Sequence, residues 1–226
     1  MPLRAIVFDF DGVIANSEPL HYLGFRDVLD AESVALTEDV YYAELLGYDD
    51  VGVFRAVAAT HGRPWTPAKI ASLVERKAQR LEQLEREVSV LFPGAADAIR
   101  RAASVVPVAI ASGALGAEIR RVVDREQLTP LFTAIVAAED TPRSKPSPDP
   151  YLRALALLSA SAGTDLRPAD CLAIEDSHWG LESARAAGLR TVAVATTYRS
   201  DTLEADLTIP SLSALDVTVL QRLFSD

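Results

Sequence analysis

Cysteine is nearly missing from this chain: one residue in 226, Cys171. A lone thiol cannot close an internal disulfide, and its place in the apolar run CLAIE makes core packing its expected role. Positive charge is also short. With 22 Lys and Arg against 32 Asp and Glu, the net charge is −10, which argues against a protein that meets nucleic acid or a membrane surface with a basic face. Any phosphate bound here has to be held by local features. No apolar run reaches membrane-spanning length, and the N-terminus lacks a basic region followed by an apolar one, so a soluble protein of a reducing, cytoplasmic compartment is expected. Internal repeats and low-complexity tracts are absent. The length allows one large domain, or a core with an insert, around a substantial apolar core.

What is present is a series of short runs rich in Val, Ile and Ala. RAIVFDF at 4–10, VVPVAIAS at 105–112, AIVAA at 134–138, CLAIE at 171–175 and TVAVAT at 191–196 each read as a strand buried on both faces. Helix-like segments lie between the later ones: Leu115 to Glu126, Pro148 to Leu158, and His178 to Ala187 closed by Gly188. Strands alternating with helices predict an α/β fold, a parallel sheet covered by helices on both sides. Residues 17–88 break the pattern, with helical periodicity and almost no strand signal, until Pro93-Gly94 turns the chain back into the core. The expected organisation is a catalytic core of residues 1–15 and 89–226 with a helical cap, 16–88, hinged near Ala15 to Ser17. A hinged insert beside a candidate site suggests a lid.

In open parallel sheets, ligands bind outside the carboxyl ends of the strands. Polar residues sit at those ends here: Asp9 and Asp11 after the first run, Ser112-Gly113 after the second, and Glu175-Asp176-Ser177 after CLAIE. Lys145, in the proline-rich loop TPRSKPSPDPY, is expected on the same rim. Asp9, Asp11, Glu175 and Asp176 would crowd like charges, a costly arrangement unless a cation neutralises it. Hard oxygen ligands with room for water suit Mg²⁺, completed by phosphate oxygens. Ser112, the Gly113 amide and Lys145 would serve the remaining phosphate oxygens. Asp9 is the candidate nucleophile. Asp11 faces the same side if the strand persists that far, and could protonate the leaving oxygen and then activate water.

The segments DFDGVIANS, ASG, KPSPDPY and IEDSHWGLESARAAG resemble the four ordered motifs of the haloacid dehalogenase superfamily, in the branch with a helical cap inserted after the first motif. The likeness spans nearly the whole chain. It implies a Rossmann-like core, an Asp9 nucleophile, Asp11 as acid and base, Ser112 and Lys145 as phosphate binders, and Mg²⁺ held by Asp9, the Asp11 backbone carbonyl and Asp176, with Glu175 supporting. The second aspartate separates the chain from the dehalogenases themselves, which lack that acid, and favours phosphate transfer.

Within that branch, DGVI, EPLHY and Lys77 are similar to β-phosphoglucomutases as well as to sugar-phosphate phosphatases. A mutase must anchor a second phosphate, which those enzymes do with an arginine just after a cap glycine. Here Gly47 is followed by Tyr48, Asp49 and Asp50, whose charges would repel a dianion. The expected function is therefore a Mg²⁺-dependent phosphatase of a small phosphorylated metabolite, a sugar or related monoester, acting as a monomer through an aspartyl-phosphate. A phosphosugar mutase is the alternative, and a phosphoaspartate signalling module is disfavoured by the cap-sized insert and the paired acids. His21 and Lys77 are candidate substrate contacts. The ordinary alternatives are a packed or surface histidine and a lysine on a solvated helix face. Trp65 and Trp179 read as packing residues.

Overall fold

The computed structural model describes residues 2–46 and 48–224. Among them the core holds a parallel sheet of β1 (Ala5–Phe8), β2 (Val108–Ala111), β3 (Phe132–Val136), β4 (Cys171–Glu175), β5 (Arg190–Val194) and β6 (Leu207–Ile209). The strand order is β3-β2-β1-β4-β5-β6, so the expected α/β sheet is what forms. β1, β2 and β4 are buried along their whole length, which is why they read as continuous apolar runs. Tyr151 from the helix Asp149–Ala162 joins Val7, Ala111, Ala173 and Cys171 in one cluster, so the thiol is a core residue.

The sequence places two strands imperfectly. The third runs from Phe132 to Val136, two residues earlier than the AIVAA run, and β6 has no counterpart among the apolar runs. Both lie at the edges of the sheet.

Strand order reverses at β1: the chain goes out through β2 and β3, then returns to add β4, β5 and β6 on the other side. Phe8 is level with Ile110 of β2 and Ile174 of β4, so the carboxyl ends of the three central strands open on one crevice, the usual ligand position in such sheets.

By contact the chain divides into two units, Met1–Asn16 with Val90–Asp226, and Ser17–Ser89. The second unit contains the helices Glu18–Asp30, Asp50–Thr60 and Pro67–Glu87 around Phe25, Leu29, Phe54 and Leu73. Phe25 meets Phe54 edge-on at 5.3 Å. Asp49 and Thr66 cap the second and third of these helices, each accepting from an amide in the first turn. Trp65 packs against this cluster as expected, but Trp179 of the core is 67 % exposed and is not a packing residue. None of the described helices is long and apolar enough to cross a membrane.

Candidate active site

β1 delivers Asp9. The Asp9 amide donates to the Ile174 carbonyl at 2.9 Å, continuing the β1–β4 ladder past Phe8, and the carboxylate accepts from the Phe10 amide at 2.7 Å. β4 ends on Glu175, with Asp176 next. Lys145 stands between the two strands, its Nζ 2.8 Å from Asp9 Oδ1 and 2.6 Å from Glu175 Oε1.

Glu175 is fully buried and both its oxygens are engaged. Oε1 also accepts from the Tyr151 hydroxyl at 2.8 Å, and Oε2 accepts from the Asp176 amide and the Ser177 hydroxyl, each at 3.1 Å. Asp176 accepts from the Thr197 hydroxyl. Two glycines let backbone press against these acids. A Cβ at Gly180 would lie 1.9 Å from the Glu175 carboxylate, and one at Gly12, where φ is +74°, would lie 1.9 Å from Asp176 Oδ2.

The electrostatics follow from the crowding. Burial and the neighbouring Glu175 charge push the Asp9 carboxyl well above the usual carboxylate range, against the pull of Lys145. Burial pushes Asp176 up to about 6, with the Thr197 bond opposing. Burial also works against the Lys145 ammonium, but Asp9 and Glu175 outweigh it and raise its pKa. One carboxylate oxygen from each of Asp9, Glu175 and Asp176 lies within 4.8 Å of the others, those of Glu175 being already held by donors. One lysine does not offset three buried carboxylates, and an all-oxygen donor set of this charge fits a hard divalent cation.

Ser112 and Gly113 follow β2 directly. The buried Ser112 accepts at Oγ from the Ala114 amide at 3.0 Å, while Gly113 is exposed with open space where a Cβ would stand. Asp11 departs from the alternation argument. The strand stops at Phe8, and Asp11 sits in an exposed turn closed by bonds from Ile14 and Ala15 to the Phe10 carbonyl, so its placement follows from the turn and not from strand periodicity.

His21 and Lys77 belong to the Ser17–Ser89 unit. Lys77 is not on a solvated face: it is 2 % exposed, with Nζ 2.8 Å from Asp50 Oδ1, 2.9 Å from His21 Nδ1 and 4.6 Å from the Phe25 ring centroid. Burial and the adjacent ammonium push His21 down to about 4, so the imidazole is neutral at neutral pH. Asp49 is the helix cap, accepting from Gly52 at 2.6 Å, and Asp50 is ion-paired to Lys77. The two aspartates are thus not the bare anions that the pattern suggests. Gly47 lies outside the described residues.

Two groups at this site escaped the sequence. Tyr151 lies within the KPSPDPY motif, but nothing in the pattern tells where its hydroxyl goes. Thr197 follows the carboxyl end of β5, so the rule that singled out Asp9 and Glu175 would have found it too.

Comparison with known proteins gives a consistent picture. The family model for haloacid dehalogenase-like hydrolases matches residues 6–194. Protein CbbY of Rhodobacter capsulatus is 36 % identical, over 99 % of this chain and 100 % of its own. Hexitol phosphatase B of Escherichia coli K12 is 31 % identical, over 85 % of this chain and 83 % of its own. Among solved structures, CbbY of Rhodobacter sphaeroides in complex with xylulose-(1,5)bisphosphate is 27 % identical, with a TM-score of 0.72 over 95 % of this chain and 96 % of that one.

Proposed function

The chain belongs to the haloacid dehalogenase-like hydrolases, and on that premise we propose that it is a Mg²⁺-dependent phosphatase of a sugar or sugar-alcohol phosphate, working through an aspartyl-phosphate at Asp9. The observation that carries this reading is the pairing of Lys145 with both Asp9 and Glu175 at the reversal point of the sheet, with Asp176 alongside. That is an arrangement for holding a dianion against a carboxylate.

In this reading Asp9 attacks phosphorus, and the bond to the ester oxygen breaks as Asp11 gives that oxygen a proton. Asp11 then takes a proton from water as the water oxygen attacks the same phosphorus. The Asp9–phosphorus bond breaks, releasing orthophosphate and restoring the carboxylate. Lys145, Ser112 and the Gly113 amide hold the phosphoryl oxygens as charge builds on them. Asp9, Asp176 and the Asp11 carbonyl would hold Mg²⁺, which supplies the positive charge that lets a carboxylate approach a phosphate dianion. Glu175, with both oxygens already taken by donors, holds Lys145 and the Asp176 backbone in place. The Ser17–Ser89 unit corresponds to the helical insert expected as the cap.

Substrate preference follows the relatives: a hexitol phosphatase points to a polyol monophosphate, and the CbbY complex to a pentulose bisphosphate. The test is orthophosphate release from a panel of hexitol, hexose and pentulose mono- and bisphosphates, with Mg²⁺ and with chelator. Mg²⁺-dependent release from a monophosphate is expected. Conversion of a hexose 1-phosphate into its 6-phosphate without orthophosphate would overturn the hydrolase reading in favour of a mutase.

A further inference from the structure

Tyr151 is neither an acid nor a phosphate binder in the reading above, yet it touches both halves of the central ion pair. Its hydroxyl donates to Glu175 Oε1 at 2.8 Å, the same oxygen that receives Lys145 at 2.6 Å, and its ring centroid lies 5.2 Å from Lys145 Nζ. The residue is fully buried. It lies in the first turn of the helix Asp149–Ala162, anchored by the Arg143–Asp149 ion pair at 2.9 Å and by Ser183, whose hydroxyl donates to the Ser147 carbonyl at 2.6 Å. A buried phenol needs an acceptor, and this one takes the acceptor that also sets the lysine.

We propose that Tyr151 is a positioning residue for Lys145: by occupying Glu175 Oε1, it keeps the ammonium shared between Glu175 and Asp9 and not drawn wholly onto Glu175. Without the hydroxyl, Glu175 Oε1 answers to Lys145 alone, and the lysine shifts away from Asp9 and from the phosphoryl oxygens it would bind. The proposal rests on the phosphatase reading for its catalytic consequence. The contact itself does not depend on that reading.

The test is a double-substitution cycle of Tyr151→Phe and Lys145→Ala, read by kcat on the best monophosphate of the panel and, separately, by orthophosphate affinity in titration calorimetry. Tyr151→Phe is expected to lower kcat about tenfold, the scale of losing a supporting hydrogen bond behind a ligand or catalytic group, and to weaken orthophosphate severalfold. In the Lys145→Ala background it should change neither by more than about twofold. Equal losses in both backgrounds would make Tyr151 a structural residue only, and a Tyr151→Phe enzyme within about twofold of wild type would overturn the proposal outright. Should Tyr151→Phe fail to fold, 3-fluorotyrosine at position 151 keeps ring and hydroxyl while changing donor strength. An orthophosphate affinity unmoved by that replacement would equally overturn the idea. The binding arm needs no turnover: a wild-type enzyme inert on every ester would sink the phosphatase reading while the coupling of Tyr151 to Lys145 is still measured.

Discussion

Lys145 and Asp9 face each other at 2.8 Å with both side chains almost sealed from water. The pair ties the candidate nucleophile to the group that would hold its target, so replacing either partner alters charge as well as chemistry.

Asp9→Asn keeps the shape and removes the attacking charge. Orthophosphate release is expected to fall by roughly four orders of magnitude or more, the scale on which a covalent nucleophile is lost. The circular dichroism spectrum should be unchanged. Release at near the wild-type rate would mean that Asp9 is not the nucleophile.

Gly180 lies in the helix His178–Ala186, where exchanging glycine for alanine ordinarily stabilises by up to about 1 kcal/mol. Here the sign should reverse, because the new methyl would sit 1.9 Å from the Glu175 carboxylate. Gly180→Ala is expected to destabilise by about 2 kcal/mol in urea unfolding, within the usual range for overpacking a core, and to depress activity by displacing Glu175. A more stable, fully active variant would show that the carboxylate moves aside easily.

The Lys77–Asp50 pair joins a lysine side chain that is 2 % exposed to an aspartate that is 32 % exposed. Asp50→Ala leaves a buried ammonium without its anion and should cost about 3 kcal/mol, the lower end of the range for a broken buried pair because Asp50 is partly solvated. Adding Lys77→Met removes the stranded charge and should restore much of the loss. The comparison of the two urea midpoints is the check, and a double variant worse than Asp50→Ala would contradict it.

His21 gives the stability a defined pH dependence. Its folded pKa of about 4 lies below the ordinary 6.5, so as pH falls below about 6.5 the unfolded chain takes up the proton first and the folded state loses ground. The loss runs down to about pH 4 and then stops for this group. By pH 5 it should amount to on the order of 2 kcal/mol. His21→Asn should flatten that segment of the stability curve. An unchanged slope between pH 6.5 and 5 would mean that the imidazole charges freely in the fold.

The parts of the fold that the sequence states clearly are those shielded on both sides. β1, β2 and β4 are buried throughout and written as unbroken apolar runs. The misplaced and missing strands, β3 and β6, are the two edges, where each strand has a neighbour on one side only and half-buried positions interrupt the apolar run. At the site, Asp9, Glu175 and Asp176 were legible because a carboxylate at the end of a buried apolar strand is costly to hold there without a cation or a hydrogen-bonding partner. The setting of Lys77 was not, since its partner Asp50 lies on another helix and a charged helix looks solvated until that partner is known. Tyr151 was hidden for the same reason: a long-range hydrogen bond leaves no periodic trace.

The position of β1 in the middle of the sheet also sets an order on the life of the chain. In chain order β1 comes before the other five strands of the sheet, and one of its two neighbours, β4, follows only after β2 and β3. A nascent chain therefore carries Asp9 long before it carries Glu175 or Asp176, and the exposed flank of β1 stays open until the chain past residue 176 has emerged. Cleavage in the stretch 163–167, ahead of β4, would spare Asp9 and Lys145 yet leave both without the strand that faces them. Such a fragment would present an unpaired apolar strand, open to pairing with another chain, so the site forms only in molecules that keep the chain through Asp176.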